Sequence, residues 1–349
     1  MVVAEFMRNT IVFFHTGAIY PMQYIAFGKT GMRVSEVCLG TMTFGKEADE
    51  ATSIAIMNRS LEAGINFFDT ADIYNKGATE EIVGRWIGPH REGIVLASKV
   101  HFPTGPGPND YGCSRRHIVR GVEASLKRLK TDWLDILYLH HWDEQTAIEE
   151  SLAAITTLVE RGKVHYGGVS NYSAWQTMKA VAVAQSNRYA PVTCVQPMYN
   201  LVKRQAEVEI LPLAQAENLA VCPYSPIAAG LLTGKYLRGE GGRIKDHPMY
   251  AERYKHEEYA AIAARFVDYA QRHGYSPSAL ATRWVIDHPA VTSAIIGARN
   301  LDQLNQGLQC ANFRLSAEQR AEIAALSNDP PLATDREPTS IAMTLLAKK

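Results

Sequence analysis

Two carboxylates and a tyrosine follow an apolar pair in the segment FFDTADIY. Asp69, Asp72 and Tyr74 come at the point where the chain would leave a buried strand. Polar residues at the mouth of a strand would explain this pattern without any function. Two further groups favour a reactive site, because Lys99 ends the apolar run LASK and His140 ends the run LDILYLH.

These groups are of the types needed to protonate a carbonyl oxygen. A lysine at the end of an apolar strand loses its charge unless a carboxylate pairs with it, and Asp69 can supply that partner to Lys99. A cation beside the hydroxyl of Tyr74 would lower the pKa of the phenol, so that the tyrosine could act as a general acid near neutral pH. His140 could position the same substrate oxygen by a hydrogen bond. No side chain donates hydride, and a nicotinamide cofactor is therefore implied.

Each of these residues also has an ordinary structural explanation. Asp69 alone could cap a strand end, and His140 alone could be a hydrogen-bonded histidine of the core. Four such residues at the ends of three successive predicted strands favour the catalytic interpretation over the structural one.

The elements that would position these residues alternate along the chain. Short β-branched runs are separated by longer helical patterns, which is typical of βα units and a parallel sheet. Eight strands are predicted, at residues 34–40, 65–71, 93–100, 134–140, 165–171, 193–199, 219–226 and 291–298. The clearest helix signals between and after them are the patterns at 50–64 and 115–130, the capping boxes at 173–176 and 316–319, and the cap Ser276 before Pro277.

Eight strands, each followed by a helix, predict a (β/α)8 TIM barrel with an N-terminal hairpin and a C-terminal extra helix. The alternative, a doubly wound open sheet, lacks a GxGxxG turn after any strand. Residues 22–33 predict the hairpin, which would close the barrel floor with its turn at 29–31. We expect one catalytic domain over 22–329, preceded by an extension, 1–21, and followed by a tail, 330–349.

Composition narrows the classes of function and location. The 36 basic and 36 acidic residues give a formal net charge of zero, which argues against nucleic acid or a membrane surface as the main partner. No apolar run approaches the roughly eighteen residues that span a bilayer, and the N-terminus is a poor signal peptide. The five cysteines form no CxxC pair, and we expect them to be small core residues of a reduced, cytoplasmic protein without a metal site. They are Cys38, Cys113, Cys194, Cys222 and Cys310.

As an ordered set, the motifs resemble the aldo-keto reductase superfamily, in its bacterial NADPH-dependent form, from about residue 22 to about residue 326. The matching stretches are GTMTFG (40–45), NFFDTADIY (66–74), LASK (96–99), LDILYLHHWD (134–143), GGVSN (167–171), VQPMYN (195–200), PYSPIAAGLLTGKY (223–236) and IIGARNLDQL (295–304). The resemblance implies reversible NAD(P)H-dependent reduction of aldehydes and ketones. It places the catalytic tetrad at Asp69, Tyr74, Lys99 and His140, with Tyr74 as the general acid.

The resemblance also implies where the cofactor would bind. Ser170, Asn171 and Gln196 would hold the nicotinamide carboxamide, and Tyr224 would stack on its ring. The other positions implied to contact the cofactor are Thr41, Met42, Asp69, Ser225, Pro226, Ile227, Gly230, Leu231, Lys235, Gly297, Ala298, Arg299 and Gln303. Residues 297–299 are expected to open the final helix, whose N-terminus would attract phosphate. Arg299 suits a 2′-phosphate, which favours NADPH, with NADH as the alternative.

The substrate pocket is expected at the same end of the barrel. Phe44, His141 and Trp142 are predicted to line it, and two long loops, 101–113 and 237–256, are expected to shape it. The second loop is rich in glycine and charge and could be a mobile lid. The partner is predicted to be a small carbonyl compound, such as an aldehyde, a ketone or a sugar, and the sequence does not determine the oligomeric state.

Two other functions compete with a reductase. One is a regulatory, cofactor-binding protein like the potassium-channel β-subunits of the same superfamily, although that branch typically lacks the histidine found here as His140. The other is a cofactor-free barrel aldolase with Lys99 as a Schiff-base nucleophile. The pairing of Lys99 with Asp69 and the segment GARNLDQ argue against the aldolase.

Overall fold

A computed structural model describes residues 22–334 of the chain. The predicted N-terminal extension, 1–21, and most of the predicted C-terminal tail lie outside the described residues. The division into extension, domain and tail therefore stays a prediction.

The described chain contains a two-stranded hairpin and an eight-stranded parallel sheet. The hairpin strands are β1 (Tyr24–Ala26) and β2 (Arg33–Ser35). The sheet strands are β3 (Val37–Gly40), β4 (Phe67–Asp69), β5 (Val95–Val100), β6 (Leu134–Leu139), β7 (Val164–Ser170), β8 (Val192–Gln196), β9 (Ala220–Val221) and β10 (Ala294–Ile296). The sheet order is β10-β3-β4-β5-β6-β7-β8-β9, with all neighbours parallel.

The two edges of this sheet meet, which gives the predicted barrel and not the open sheet. The backbone N–H of Ile295 donates to the carbonyl of Pro223 at 2.9 Å, and that of Thr292 donates to Val221 at 2.8 Å. The strand β9 is much shorter than the predicted 219–226, because Pro223 has no N–H to donate to a ladder. A single bridge between Tyr224 and Ile295 extends the pairing beyond it.

The hairpin closes the floor of the barrel, as predicted. Its turn contains Gly28 and Gly31, both with positive φ. Phe27 is fully buried and meets Phe67 of β4 edge-to-face, with 6.0 Å between ring centroids. An aromatic side chain from the hairpin therefore fills the bottom of the barrel, and the opposite end, where the parallel strands terminate, remains for a site.

The helices surround the sheet and follow the strands in alternation. They are α1 (Glu50–Glu62), α2 (Ala78–Trp86), α3 (Arg115–Leu129), α4 (Ile148–Glu160), α5 (Ala174–Ser186), α6 (Ile210–Glu217), α7 (Arg243–Asp246), α8 (Pro248–Arg253), α9 (Glu257–Arg272), α10 (Pro277–Ile286), α11 (Leu301–Leu308) and α12 (Ala317–Ala324). The last of these, α12, is the predicted extra helix. Among residues 22–334 no helix has both the length and the apolarity that crossing a membrane would require.

Most of the predicted helix signals appear in the structure. Both capping boxes form, at Ser173 and at Ser316, each with its reciprocal pair of hydrogen bonds. The apolar face predicted for 115–130 is buried along α3, which ends at Leu129. Ser276 occupies the N-cap position of α10, but its side chain makes no capping hydrogen bond. The five cysteines are buried and unbridged, as expected for core residues.

Candidate active site

A buried lysine lies at the centre of the barrel mouth. The Nζ atom of Lys99, on β5, donates to Asp69 Oδ1 at 2.5 Å and to the carbonyl of Thr70 at 2.7 Å. It also lies 3.2 Å from the hydroxyl oxygen of Tyr74. Lys99 and Asp69 are 1% and 2% exposed. The structure thus brings together the three residues that the strand ends predicted, in a place from which water is largely excluded.

Asp69 has a second partner, which the sequence interpretation assigned elsewhere. The side-chain amide of Gln196, on β8, donates to Asp69 Oδ2 at 2.8 Å. Each oxygen of the carboxylate therefore receives one hydrogen bond, one from Lys99 and one from Gln196. Gln196 was predicted to hold a nicotinamide carboxamide, but in this structure its amide N–H orients the carboxylate that pairs with Lys99.

The ionisation of Lys99 follows from competing effects. Burial lowers the pKa of Lys99, whereas the charge of Asp69 and the neighbouring Tyr74 raise it, and the net result is a pKa above the usual value. A buried ammonium with an opposite charge at hydrogen-bond distance keeps its proton for this reason. Lys99 is therefore a fixed cation beneath the hydroxyl of Tyr74 and a poor amine nucleophile.

The pKa of Tyr74 shifts in the direction opposite to the expectation. Burial raises the pKa of Tyr74, Lys99 lowers it, Asp69 raises it, and the net shift is upward. The expected lowering by Lys99 is present, but burial outweighs it, because a phenolate is costly to form away from water. Tyr74 is consequently protonated at neutral pH, with a cation placed to stabilise the phenolate once a proton leaves.

Three successive left-handed residues turn the chain just after Tyr74. Asn75, Lys76 and Gly77 have φ values of 47°, 55° and 92°. The side-chain amide of Asn75 donates to the carbonyl of Gly45 at 2.6 Å and ties the turn to the neighbouring loop. This conformation is uncommon for residues other than glycine. It positions Tyr74, and the strand pattern did not predict it.

His140, the residue directly after β6, faces the tyrosine, as the spacing from Asp135 indicated. Its ring centroid lies 6.1 Å from that of Tyr74, and the side chain is buried, whereas that of His141 is exposed. Burial and then the charge of Lys99 lower the pKa of His140 well below its usual value. The imidazole is therefore neutral, and its Nδ1 atom has no hydrogen-bond partner among residues 22–334. A neutral imidazole retains one N–H that can be donated to a substrate oxygen.

A second group of predicted residues lies beside the first. The hydroxyl of Tyr224 donates to Asn171 Oδ1 at 2.7 Å, and Asn171 Nδ2 donates to the carbonyl of His140 at 2.8 Å. Ser170 Oγ donates to the carbonyl of Gln196 at 3.0 Å. Asn171 has a φ of 56°, which directs its amide across the strand ends. The four residues predicted around a nicotinamide are thus adjacent, with most of their polar atoms bonded to one another.

The segment after Tyr224 has an unusual backbone that suits a close ligand contact. Ser225, Ala228, Ala229 and Gly230 all have positive φ. A Cβ atom on Gly230 would lie 3.0 Å from the ammonium nitrogen of Lys235. Backbone of this kind exposes N–H groups that can bind an anion. The neighbouring positions predicted to contact a cofactor, Pro226, Ile227 and Leu231, belong to the same segment.

Lys235, Arg243 and Arg299 lie close together near this segment. Arg243 and the carboxylate of Glu47 beside it were not among the predicted site residues. Burial lowers the pKa of Lys235, and the charges of Arg299 and Arg243 lower it further, as expected where like charges are close. Glu47 lies between the two arginines, with Oε1 3.7 Å from Arg243 Nε and 3.9 Å from Arg299 Nη2. Glu47 lies in a turn and Arg243 is the first residue of α7, and the sequence gave no indication that they meet.

The remaining predicted positions are distributed around the mouth. Thr41 Oγ1 donates to the carbonyl of Asp69 at 3.0 Å, and Met42 is partly buried beside it. Gly297, Ala298 and Arg299 do not open the last barrel helix as expected, because α11 begins at Leu301 with Asn300 as its cap. Gln303 accepts a hydrogen bond from the backbone N–H of Arg299 at 3.1 Å.

The predicted pocket residues separate into two groups. Phe44 is fully buried and packs in the hydrophobic core, and its place in the pocket stays a prediction. Trp142 packs edge-on against Tyr172 and Trp175, and its Nε1 atom has no hydrogen-bond partner among the described residues. Phe102, which the sequence interpretation missed, lies 4.8 Å from His140 between ring centroids. An aromatic wall therefore borders the tyrosine and the histidine.

The chain is similar to known proteins over most of its length. The model of the Aldo/keto reductase family matches residues 36–328. The chain is 40% identical to the "Uncharacterized oxidoreductase YrpG" of Bacillus subtilis, over 85% of this chain and 93% of that protein. It is 36% identical to a "Probable voltage-gated potassium channel subunit beta" of Arabidopsis thaliana, over 83% and 92%. It is 33% identical to the "Aldo-keto reductase YhdN" of Bacillus subtilis, over 86% and 92%.

Proposed function

The chain belongs to the aldo/keto reductase family, an oxidoreductase family, and from this premise we propose that it reduces aldehydes or ketones to alcohols with NADPH. The observation that carries the proposal is the buried contact of Lys99 with both Asp69 Oδ1 and the hydroxyl of Tyr74, at 2.5 and 3.2 Å. This arrangement holds a protonated phenol next to a fixed cation, and that is what the protonation of a carbonyl oxygen requires.

The residues around the mouth fit a nicotinamide dinucleotide. Tyr224 has a partly exposed ring near Tyr74. The segment from Ser225 to Gly230, which contains four residues with positive φ, leads to the cation of Lys235. Lys235, Arg243 and Arg299 would hold phosphate groups. A bound cofactor of this class supplies the hydride. The carboxylates of Glu47, Glu240 and Asp246 lie near these cations. The preference for NADPH over NADH therefore rests on the guanidinium of Arg299, which suits a 2′-phosphate.

The protein's own part in the reaction is to move one proton. Tyr74 gives its proton to the carbonyl oxygen as the carbon receives hydride, and the phenolate that remains is stabilised by Lys99. Asp69 keeps Lys99 charged and in place, and Gln196 keeps Asp69 in place. Neutral His140 donates a hydrogen bond to the same substrate oxygen and orients it. In the reverse direction the phenolate accepts the proton from an alcohol.

Small carbonyl compounds are the proposed substrates. Phe102 and Trp142 provide an apolar wall, and the unpaired Nε1 of Trp142 provides a donor for a substrate acceptor. The formal net charge of zero, from 36 basic and 36 acidic residues, argues against nucleic acid or a membrane surface as the main partner. A cytoplasmic location stays a prediction.

A regulatory role is the second candidate, because a potassium-channel β-subunit of Arabidopsis thaliana is among the similar proteins. His140 favours catalysis over regulation. The test is to follow NADPH absorbance with a panel of aldehydes, ketones and sugars, and to measure NADPH binding by fluorescence in parallel. Turnover with at least one carbonyl compound supports the reductase. Tight NADPH binding without turnover on any of them favours regulation and rejects the proposal.

A further inference from the structure

Three side chains of metal-ligating type meet at the entrance of the site. They are His101, Cys113 and Asp143, and the ligand atoms they offer all lie within 4.8 Å of one another. The imidazole Nδ1 of His101 is 3.4 Å from the thiol sulfur of Cys113. The proton and hydride transfers proposed above use none of these residues.

The two loops that carry them are bonded together so that the cluster is formed in advance. The backbone N–H of Cys113 donates to Asp143 Oδ2 at 2.7 Å, and that of Gly112 donates to the carbonyl of His101 at 2.7 Å. A Cβ atom on Gly112 would lie 2.8 Å from Asp143 Oδ2, so a side chain there would displace the carboxylate. Thr146 Oγ1 also donates to Asp143 Oδ2, at 2.7 Å. The carboxylate is therefore fixed beside the thiol.

The donor set suits zinc, and so does the distance between its nitrogen and its sulfur. Cysteine sulfur, histidine nitrogen and a carboxylate oxygen are its usual ligands, and sulfur disfavours magnesium and calcium. A tetrahedral zinc ion with Zn–N of about 2.0 Å and Zn–S of about 2.3 Å places the nitrogen and sulfur about 3.5 Å apart. The observed 3.4 Å matches this edge. His101 and Asp143 are partly exposed, which leaves an approach from solvent and room for a fourth ligand.

We propose that His101, Cys113 and Asp143 form a binding site for a zinc-like divalent cation at the entrance of the substrate pocket. The expectation that the cysteines bind no metal relied on the absence of a CxxC pair. These ligands are instead separated by 12 and 30 positions in the chain and are brought together by two loops. Only the fold reveals the cluster.

The location predicts an effect on substrate entry. His101 lies 5.4 Å from His141 and 5.1 Å from Phe102 between ring centroids, and Phe102 lies 4.8 Å from His140. A cation bound by His101 would hold the loop beside the aromatic wall. This consequence rests on the proposed function: zinc should raise the KM for a carbonyl compound without changing NADPH binding.

The site itself is tested without any activity. The full-length protein, free of an affinity tag and kept reduced with a phosphine, would be titrated with Co²⁺ and followed by absorbance. A sulfur-to-cobalt charge-transfer band that saturates near one equivalent and disappears on addition of Zn²⁺ is the expected result. Cys113→Ser should abolish the band, and the matched control Cys310→Ser, which changes another buried thiol, should keep it.

His101→Ala provides a second variant that does not alter the buried thiol. It should weaken Co²⁺ binding by about tenfold or more, since loss of supporting groups alone costs 10–100-fold at metal sites. Absence of a sulfur band in the folded wild-type protein would overturn the proposal, and so would a band that persists in Cys113→Ser. If zinc binds at Cys113 but leaves the KM for the carbonyl substrate unchanged, the proposed effect on substrate entry is wrong. If the protein binds cobalt but turns over no carbonyl compound, the metal site stands and the proposed reductase function is wrong.

Discussion

The inner and outer parts of the site use charge in different ways. At the centre, the side chains of Lys99 and Asp69 are 0% and 3% exposed and lie in direct contact. At the rim, the side chains of Glu47, Arg243 and Arg299 are between 18% and 29% exposed, and Glu47 lies 3.7 and 3.9 Å from the two arginines. Water and salt screen charges at the rim but hardly reach the centre. Each central group should therefore be indispensable, and each rim charge should contribute separately and modestly.

Removal of the central cation should have the largest effect. Lys99→Met leaves Asp69 buried and unpaired, which we expect to lower the free energy of unfolding by about 3–5 kcal/mol. Turnover should fall by about 10²–10⁴-fold, because Tyr74 loses the charge that stabilises its phenolate. Urea unfolding and the kcat for a carbonyl substrate are the measurements.

The matched control is the double variant Asp69→Asn with Lys99→Met. It removes both charges, so stability should return in part while activity stays lost. If the double variant is as unstable as Lys99→Met alone, the unpaired charge of Asp69 is not the cause of the lost stability. The proposed difference between charges at the centre and charges at the rim would then be wrong.

Asp72 sharpens the comparison, because it is a buried carboxyl without the partners that Asp69 has. Its two oxygens have no hydrogen-bond partner among the described residues, and burial and then Glu80 raise its pKa to about 7. The unfolded value is about 3.9. Between these values the folded state binds more protons than the unfolded state, so Asp72 makes the protein less stable as the pH rises from about 4 to about 7.

The isosteric change Asp72→Asn should remove this dependence. From pH 5 to pH 8 the variant should gain about 2–3 kcal/mol in free energy of unfolding relative to the wild type. Urea unfolding of both proteins at the two pH values gives the difference directly. A difference that is the same at pH 5 and pH 8 would show that Asp72 does not ionise in this range.

At the rim the expected effect is smaller and specific to the cofactor. Arg299→Gln should weaken NADPH binding by about 10–100-fold, the loss of one charge-assisted hydrogen bond, and leave NADH binding unchanged. The loss should shrink as salt is added. Fluorescence titration with each cofactor measures both effects. Arg238→Gln, which disrupts an exposed pair with Glu240 and a 3.4 Å hydrogen bond to the carbonyl of Thr233, is the control. An equal loss for NADH would contradict the assignment of Arg299.

The strand ends could be predicted from sequence because apolar runs and polar termini are local patterns. Lys99 and Asp69 each end an apolar run, and neighbouring parallel strands bring such ends together. The contact of Gln196 with Asp69 and that of Glu47 with Arg243 depend on side-chain directions in elements that are far apart in the sequence. The turn at Asn75 and Lys76 depends on a tertiary contact with Gly45. The local pattern of apolar and polar residues therefore could not predict these contacts or this turn.

The direction of the pKa shift of Tyr74 could not be predicted from the sequence either. The sequence indicated a neighbouring cation but not how far the phenol is buried, and burial outweighs the cation.

The central claim is that Tyr74 delivers the proton under the control of Lys99. The most direct measurement is single-turnover oxidation of NADPH by a carbonyl substrate in Tyr74→Phe, with Tyr138→Phe as the control. Tyr138 is a buried tyrosine on the strand next to Lys99. We predict a loss of about 10²–10⁴-fold in Tyr74→Phe with NADPH binding intact, and a rate near that of the wild type in Tyr138→Phe. A wild-type rate in Tyr74→Phe would contradict the account.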